Sequence, residues 1–213
     1  MEEDILYSAA NYYQENLMGR KFIFQAQRRD ETLELELVFK DYHFKHLSGL
    51  HKLVDFPSIA KGSGANILTA ILNREITYEE IKGSVYIHEL SGRLECYEEM
   101  KAVLNSSSLF LKAKSDFFKS SYYDGTKENY MFTDKIAESD ASCLFINRTK
   151  GETLAQPRSF FVGDSKQYQR AASVWTVLSM KEILVDGTVI VHNLDENSDK
   201  TEDAETDLVV SSV

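Results

Sequence analysis

A chain of 213 residues with 43% hydrophobic and 27% charged side chains has the make-up of a globular domain, long enough for one full core with an appendage. No apolar run reaches the length of a membrane span, the N-terminus "MEEDILYSAANYY" lacks the basic start of a secretory signal, and two cysteines, Cys96 and Cys143, make neither a disulfide framework nor a metal cluster. The net charge of −10 is uneven: residues 195–207 hold seven acids and one lysine, which leaves −4 on the rest and no broad basic face for a polyanion.

Residues 3–18 repeat Ile5, Ala9, Tyr12, Tyr13 and Leu17 at helical spacing, and Gly19 reads as the cap that ends the helix. "KFIFQAQ" (21–27) and "TLELELVF" (32–39) follow as strands, the second alternating Leu33, Leu35 and Leu37 against Glu34 and Glu36. The turn "RRDE" between them predicts a hairpin. A helix is expected over 43–54. "GSGANILTAILN" carries the helical stripe Ile67, Leu68, Ile71 and Leu72, and Thr77 with Glu80 has capping-box spacing. Residues 85–105 predict the longest helix, with Gly92 weakening its middle.

From about residue 108 short aromatic and β-branched runs take over: "SLFLKAK", "YMFTDK", "SCLFINR", "RSFFVGD", "VWTVLSMKEIL" and "GTVIVHN". Helices first and strands after predict an α+β domain over 1–194, its N-terminal helices packed on a mainly antiparallel, C-terminal β-sheet. An acidic, disordered tail is expected over 195–213. Cys96 falls in a helical pattern and Cys143 in a strand pattern, as buried reduced thiols of a cytoplasmic protein would.

The segment "FKHLSGLHKL" (44–53) holds two imidazoles. On a continuous helix at about 100° per residue, Leu47, Leu50 and Val54 face the core, while His46 and His51 stand on opposite shoulders about 140° apart. That spacing is unsuited to chelating one metal, unlike the i,i+4 pair of H-E-x-x-H, so no metal and no cofactor are expected. A shoulder histidine either satisfies local backbone groups or offers a nitrogen to a groove as general acid or base, His46 being preferred for that role. Ser48 and Gly49 form a small polar patch that a ligand could approach, and a glycine inside a helix asks for a reason. "KGSGAN" (61–66) is glycine-rich before a helix but lacks the lysine of a phosphate-binding loop, and reads as a flexible linker.

The same stretch resembles the F-x-H-L-[ST]-G-L-H motif of phage-associated domains classed with the barnase, EndoU, colicin and RelE-like nucleases. The order of parts agrees over roughly residues 5–192: a helix, a strand hairpin, the histidine segment, a helix with Arg93 in "GRLECYEEM", and "QPRSFFVGDSKQYQRA" near the end. The resemblance implies a metal-independent endoribonuclease that uses the 2′-hydroxyl of RNA as nucleophile, in a phage or plasmid toxin or defence setting. It implies His46 as base or acid, Arg158 as phosphate clamp, and Ser159 and Tyr168 as groups that orient the phosphate or share proton transfer. Ser48, His51 and Arg93 are implied as substrate-binding residues, Arg93 as a second clamp. RNA is then the expected partner, with no membrane. The acidic balance keeps a second reading open: a catalytically inactive, phage-encoded interaction protein that binds a host or phage protein and inhibits a host or defence complex.

Overall fold

Asp4 caps the first helix, α1 (Ile5–Asn16), by accepting from the Leu6 and Tyr7 amides at 2.9 and 3.1 Å. Its second oxygen accepts from the Tyr78 amide at 3.0 Å, so one carboxylate ties α1 to the helix at Tyr78–Ile81. The computed structural model describes residues 4–105, 110–113, 127–133, 140–163 and 172–193. Tyr168 and the acidic stretch 195–207 lie outside the described residues.

After α1 come β1 (Lys21–Arg28), β2 (Glu31–Val38), α2 (Phe44–Leu47), α3 (Pro57–Ala60), α4 (Gly64–Leu72), α5 (Tyr78–Ile81), α6 (Ser91–Glu95) and α7 (Glu99–Asn105). The strands β3 (Phe110–Ala113), β4 (Lys127–Thr133), β5 (Ala141–Thr149), β6 (Leu154–Gly163), β7 (Ala172–Ile183) and β8 (Val189–Asn193) complete the described chain. The fold is α+β. The β1–β2 hairpin forms with Arg29 in the left-handed region at φ 55°, and Thr77 and Glu80 make the capping box that starts α5. The helix expected over 85–105 is broken into a 3-10 turn at Ile87–Glu89, then α6 and α7.

The described strands form one curled sheet in the order β1-β2-β6-β5-β4-β3-β7-β8, and β7 also pairs with β1, which closes the ring. The sheet is mixed: β2 and β6 run parallel, and the other pairings are antiparallel. The expectation of a mainly antiparallel, C-terminal sheet is corrected accordingly, since β1 and β2 belong to the same sheet as the later strands and their junction with β6 is parallel. That junction is short, with Glu36 opposite Leu154 and Leu37 opposite Ala155. Past Ala155 β2 no longer accompanies β6, and α2 and α6 pack on β6 instead.

One hydrophobic cluster joins α1 (Leu6, Tyr13), β1 (Phe22, Phe24), β2 (Leu35, Leu37), α2 (Phe44, Leu47), β5 (Leu144, Ile146) and β6 (Phe160). Aromatic contacts run through it from Tyr13 to Phe44 (5.5 Å), Phe44 to Tyr97 (5.5 Å) and Tyr97 to Phe160 (6.2 Å). This row fixes α2 against β6. Burying each such side chain stabilises by about 1.5–3 kcal/mol, and edge-on ring pairs add about 0.5–1.5 kcal/mol each. Both cysteines are buried thiols, Cys143 in β5 and Cys96 just past α6.

The loop 61–66 is not a loose linker. Lys45, 8% exposed, donates to the carbonyls of Ala60 (3.2 Å) and Gly62 (2.5 Å). Gly64 lies against the backbone of Tyr42, where a Cβ would come within 2.5 Å of the Tyr42 carbonyl oxygen. The glycines are there to let α4 approach the segment that carries the histidines.

Candidate active site

The helix expected over 43–54 is interrupted. A 3-10 turn at Asp41–His43 leads into α2, which ends at Leu47, and Gly49 turns the chain with φ +85° into a second 3-10 turn at Leu50–Lys52. Leu47 and Leu50 are buried as the spacing predicts, but Val54, expected in the core, is 58% exposed and Leu53 takes its place. Gly49 has two reasons to be glycine. Its φ is in the left-handed region, and a Cβ there would stand 3.0 Å from Cδ of Arg93 and 3.3 Å from its Nε. The turn therefore opens a slot for the Arg93 stem.

The break brings together what a straight helix would hold apart. The rings of His46 and His51 lie 4.6 Å apart between centroids, inclined by 42°. His51 Nδ1 faces the Lys45 carbonyl at 3.5 Å, so Nδ1 carries the proton and Nε2 keeps its lone pair. Burial pushes His51 down to about 4, the charge of His46 adding to it while the Lys45 carbonyl opposes. His46 is exposed and its pKa is lowered too, first by partial desolvation and then by the charges of Lys45 and Arg158. In the free protein both imidazoles are neutral around pH 7, as bases must be.

The second half of the site comes from β6. In its pairing with β5, Phe145 faces Ser159 but Ile146 faces Pro157, which leaves Arg158 as the extra residue of a β-bulge. Pro157 has no amide to give to a ladder, which suits it to this place. The bulge turns Arg158 out to solvent, where its charge acts on both His43 and His46. No carboxylate partner for Arg158 is found among the described residues. Next to it, Ser159 Oγ accepts from Arg93 Nη1 at 3.1 Å, and the same nitrogen donates to the Phe160 carbonyl at 2.8 Å. Arg93 Nε donates to the Glu89 carbonyl at 3.0 Å, and its guanidinium lies 5.2 Å from the centre of the Phe161 ring. The Glu89 carboxylate, whose charge acts on Arg93, is paired with Lys52.

His46, His51, Arg93, Arg158 and Ser159 thus stand around the place where β2 parts from β6. Ser48 does not join them: it is fully buried, and its hydroxyl donates to the Phe44 carbonyl at 2.8 Å, which ends α2. Tyr168 lies outside the described residues. Sequence reasoning missed His43. It is 5% exposed, its Nδ1 accepts from the Lys40 amide at 3.1 Å, and its Nε2 has no hydrogen-bond partner among the described residues. Burial, with the charges of Lys40, His46 and Arg158, pushes it down to about 4. The sign that could have found it is the spacing of His43 three residues before His46, on one side of a helical turn.

Chemically the site offers neutral imidazoles, an exposed guanidinium with no carboxylate partner among the described residues, and a second guanidinium that pins a serine hydroxyl. Such a set suits an anion with a transferable proton nearby. Among the described residues no cluster of three His, Cys, Asp or Glu side chains could hold a metal ion, and no helix is long and apolar enough to cross a membrane. No curated protein and no solved structure matches the chain. A family model described as phage-Barnase-EndoU-ColicinE5/D-RelE like nuclease4 matches residues 5–198.

Proposed function

The chain belongs to this nuclease family, and from that premise we propose that it is an endoribonuclease that needs no metal and cuts RNA by attack of the 2′-hydroxyl. His46 takes the 2′-hydroxyl proton through its neutral ring. The 2′-oxygen then bonds to phosphorus, the bond to the 5′-oxygen breaks, and the leaving oxygen takes up a proton, giving a 2′,3′-cyclic phosphate and a 5′-hydroxyl. Arg158 and the Ser159 hydroxyl hold the non-bridging phosphate oxygens, and Arg93 keeps Ser159 in place while its own Nη1 is occupied. His51 favours the neutral form of the pair, because two imidazolium charges at this separation repel. Tyr168 is kept as a candidate for proton transfer to the leaving oxygen.

The observation that carries this reading is the meeting of exposed His46 and exposed Arg158, 112 residues apart in the chain, with no carboxylate to neutralise the guanidinium among the described residues. The test is incubation with RNA in the presence of a chelator. The expected products carry 2′,3′-cyclic phosphate ends, detectable by mass spectrometry, and His46→Ala and Arg158→Ala each remove them. Intact RNA after exposure to the folded protein, or unchanged cutting by His46→Ala, would overturn the proposal.

A further inference from the structure

Tyr42 and Tyr86 are the aromatic side chains among the exposed large hydrophobics of the described residues, at 41% and 38%. Tyr42 is the one joined to the site. Its ring meets that of His43 edge-on at 4.4 Å, and His43 in turn feels the charges of His46 and Arg158. The Tyr42 backbone is held twice. Its amide donates to Asp41 Oδ1 at 2.7 Å, and Gly64 presses on its carbonyl so closely that no side chain fits between. Lys40 Nζ stands 5.9 Å from the ring centre, on an exposed stem. A hydrophobic ring fixed in this way and left in water has no use in the core. It is an aromatic surface already ordered, so that little entropy is lost when a flat ligand covers it.

We infer that Tyr42 is the stacking platform for the nucleobase beside the phosphate held at His46 and Arg158, and that the site therefore takes single-stranded RNA with an unpaired base at that position. The inference rests on the nuclease proposal and adds a substrate class to it. A phosphate grip by itself does not distinguish an unpaired nucleotide from one in a duplex. A base that lies on an aromatic ring must have left its own stack, and a base inside an A-form helix cannot do so without cost. Base-on-aromatic stacking tolerates any sequence, because every base has a flat face.

The test separates binding from cutting. A short 2′-deoxy strand cannot react, so its affinity for the folded protein is read by fluorescence anisotropy at low salt, beside the same strand with an abasic centre. Tyr42→Ala should weaken the base-bearing strand about thirtyfold, the middle of the range for losing one stacked base. It should leave the abasic strand unchanged, and Tyr42→Phe and Tyr42→Trp should bind as the parent does. Equal affinity of Tyr42→Ala and parent for the base-bearing strand overturns the platform, as does an equal loss on the abasic strand. If RNA is still cut in either case, the nuclease proposal stands and the platform alone falls. A folded parent that neither binds the strand nor cuts RNA overturns both.

Discussion

Two groups of cations in this protein are treated in opposite ways. On the far strands, Glu182 is 1% exposed and accepts from Lys101 at 3.0 Å and from Arg20. Glu128 accepts from Lys112 at 2.8 Å and from Arg148 at 2.7 Å. Burial alone would raise these carboxyls, but the hydrogen bonds from their cations win, lowering Glu182 and holding Glu128 at about 2. At the seam between β2 and β6 Arg93 and Arg158 receive no such partner among the described residues. Arg158 is left to solvent, and Arg93 spends its donors on carbonyls and a hydroxyl. Where a positive charge serves the fold, the chain supplies the negative one. Where it withholds it, the negative charge has to arrive from outside, and the lowered histidines beside it are part of the same arrangement.

The sharpest way to test this contrast is to exchange the readouts. His46→Ala should cut the rate of RNA cleavage about 10²–10⁴-fold, the range for losing a positioned acid or base, with the urea midpoint unchanged. On the structural side, Glu182→Ala leaves Arg20 and Lys101 facing an empty position. It should cost about 3 kcal/mol in urea unfolding, while cleavage per folded molecule holds. If the two substitutions moved the same readout, the division of labour would be wrong.

Gly49→Ala sits on the border between the two behaviours. Holding a non-glycine residue at positive φ costs about 1–2 kcal/mol, and the new Cβ pushes on the Arg93 stem at 3.0 Å. Both stability and cleavage should fall, more than for alanine at exposed Gly92, where a Cβ meets nothing. A smaller effect concerns His46. Arg158 is one of the charges that lower it, after desolvation, so Arg158→Ala should move its titration upward in an NMR pH series. No movement would mean that the guanidinium stands elsewhere.

Acid acts on the fold as a whole. His43 and His51 stand near 4 in the folded protein and about 6.5 when unfolded. The unfolded chain therefore binds more protons between these values, and stability falls as pH drops through that window. The melting temperature should decline from pH 6.5 toward 4, and less steeply in His43→Asn, which keeps a side-chain acceptor for the Lys40 amide but no group that titrates there.

Much of this was legible in the residues. Leu33, Leu35 and Leu37 announced β2, and Thr77 and Glu80 announced α5; the histidine motif drew attention to the segment proposed to form the site with Arg93, Arg158 and Ser159. What stayed hidden has a common cause. Leu47, Leu50 and Val54 fit a continuous helix, so nothing local shows that Gly49 turns the chain to admit an arginine from 44 residues further on. That turn is what makes neighbours of His46 and His51. The strand "RSFFVGD" was legible, but its start at Leu154 was not, because Pro157 reads as a boundary until its place in a bulge is known. Ser48 looked like part of a polar patch since its bond to the Phe44 carbonyl depends on where α2 stops.

The short parallel junction between β2 and β6 has a consequence for how the protein is made. His46 leaves the ribosome long before Arg158. At the usual rate of elongation the 112 residues between them take on the order of ten seconds. Throughout that interval the growing polypeptide holds His46 without Arg158, and β2 has β1 on one side but not yet β6 on the other. A chain that stalls or is cut short before Leu154 therefore carries only half of the proposed centre, and on that proposal the RNA of its own ribosome is the nearest that it could reach.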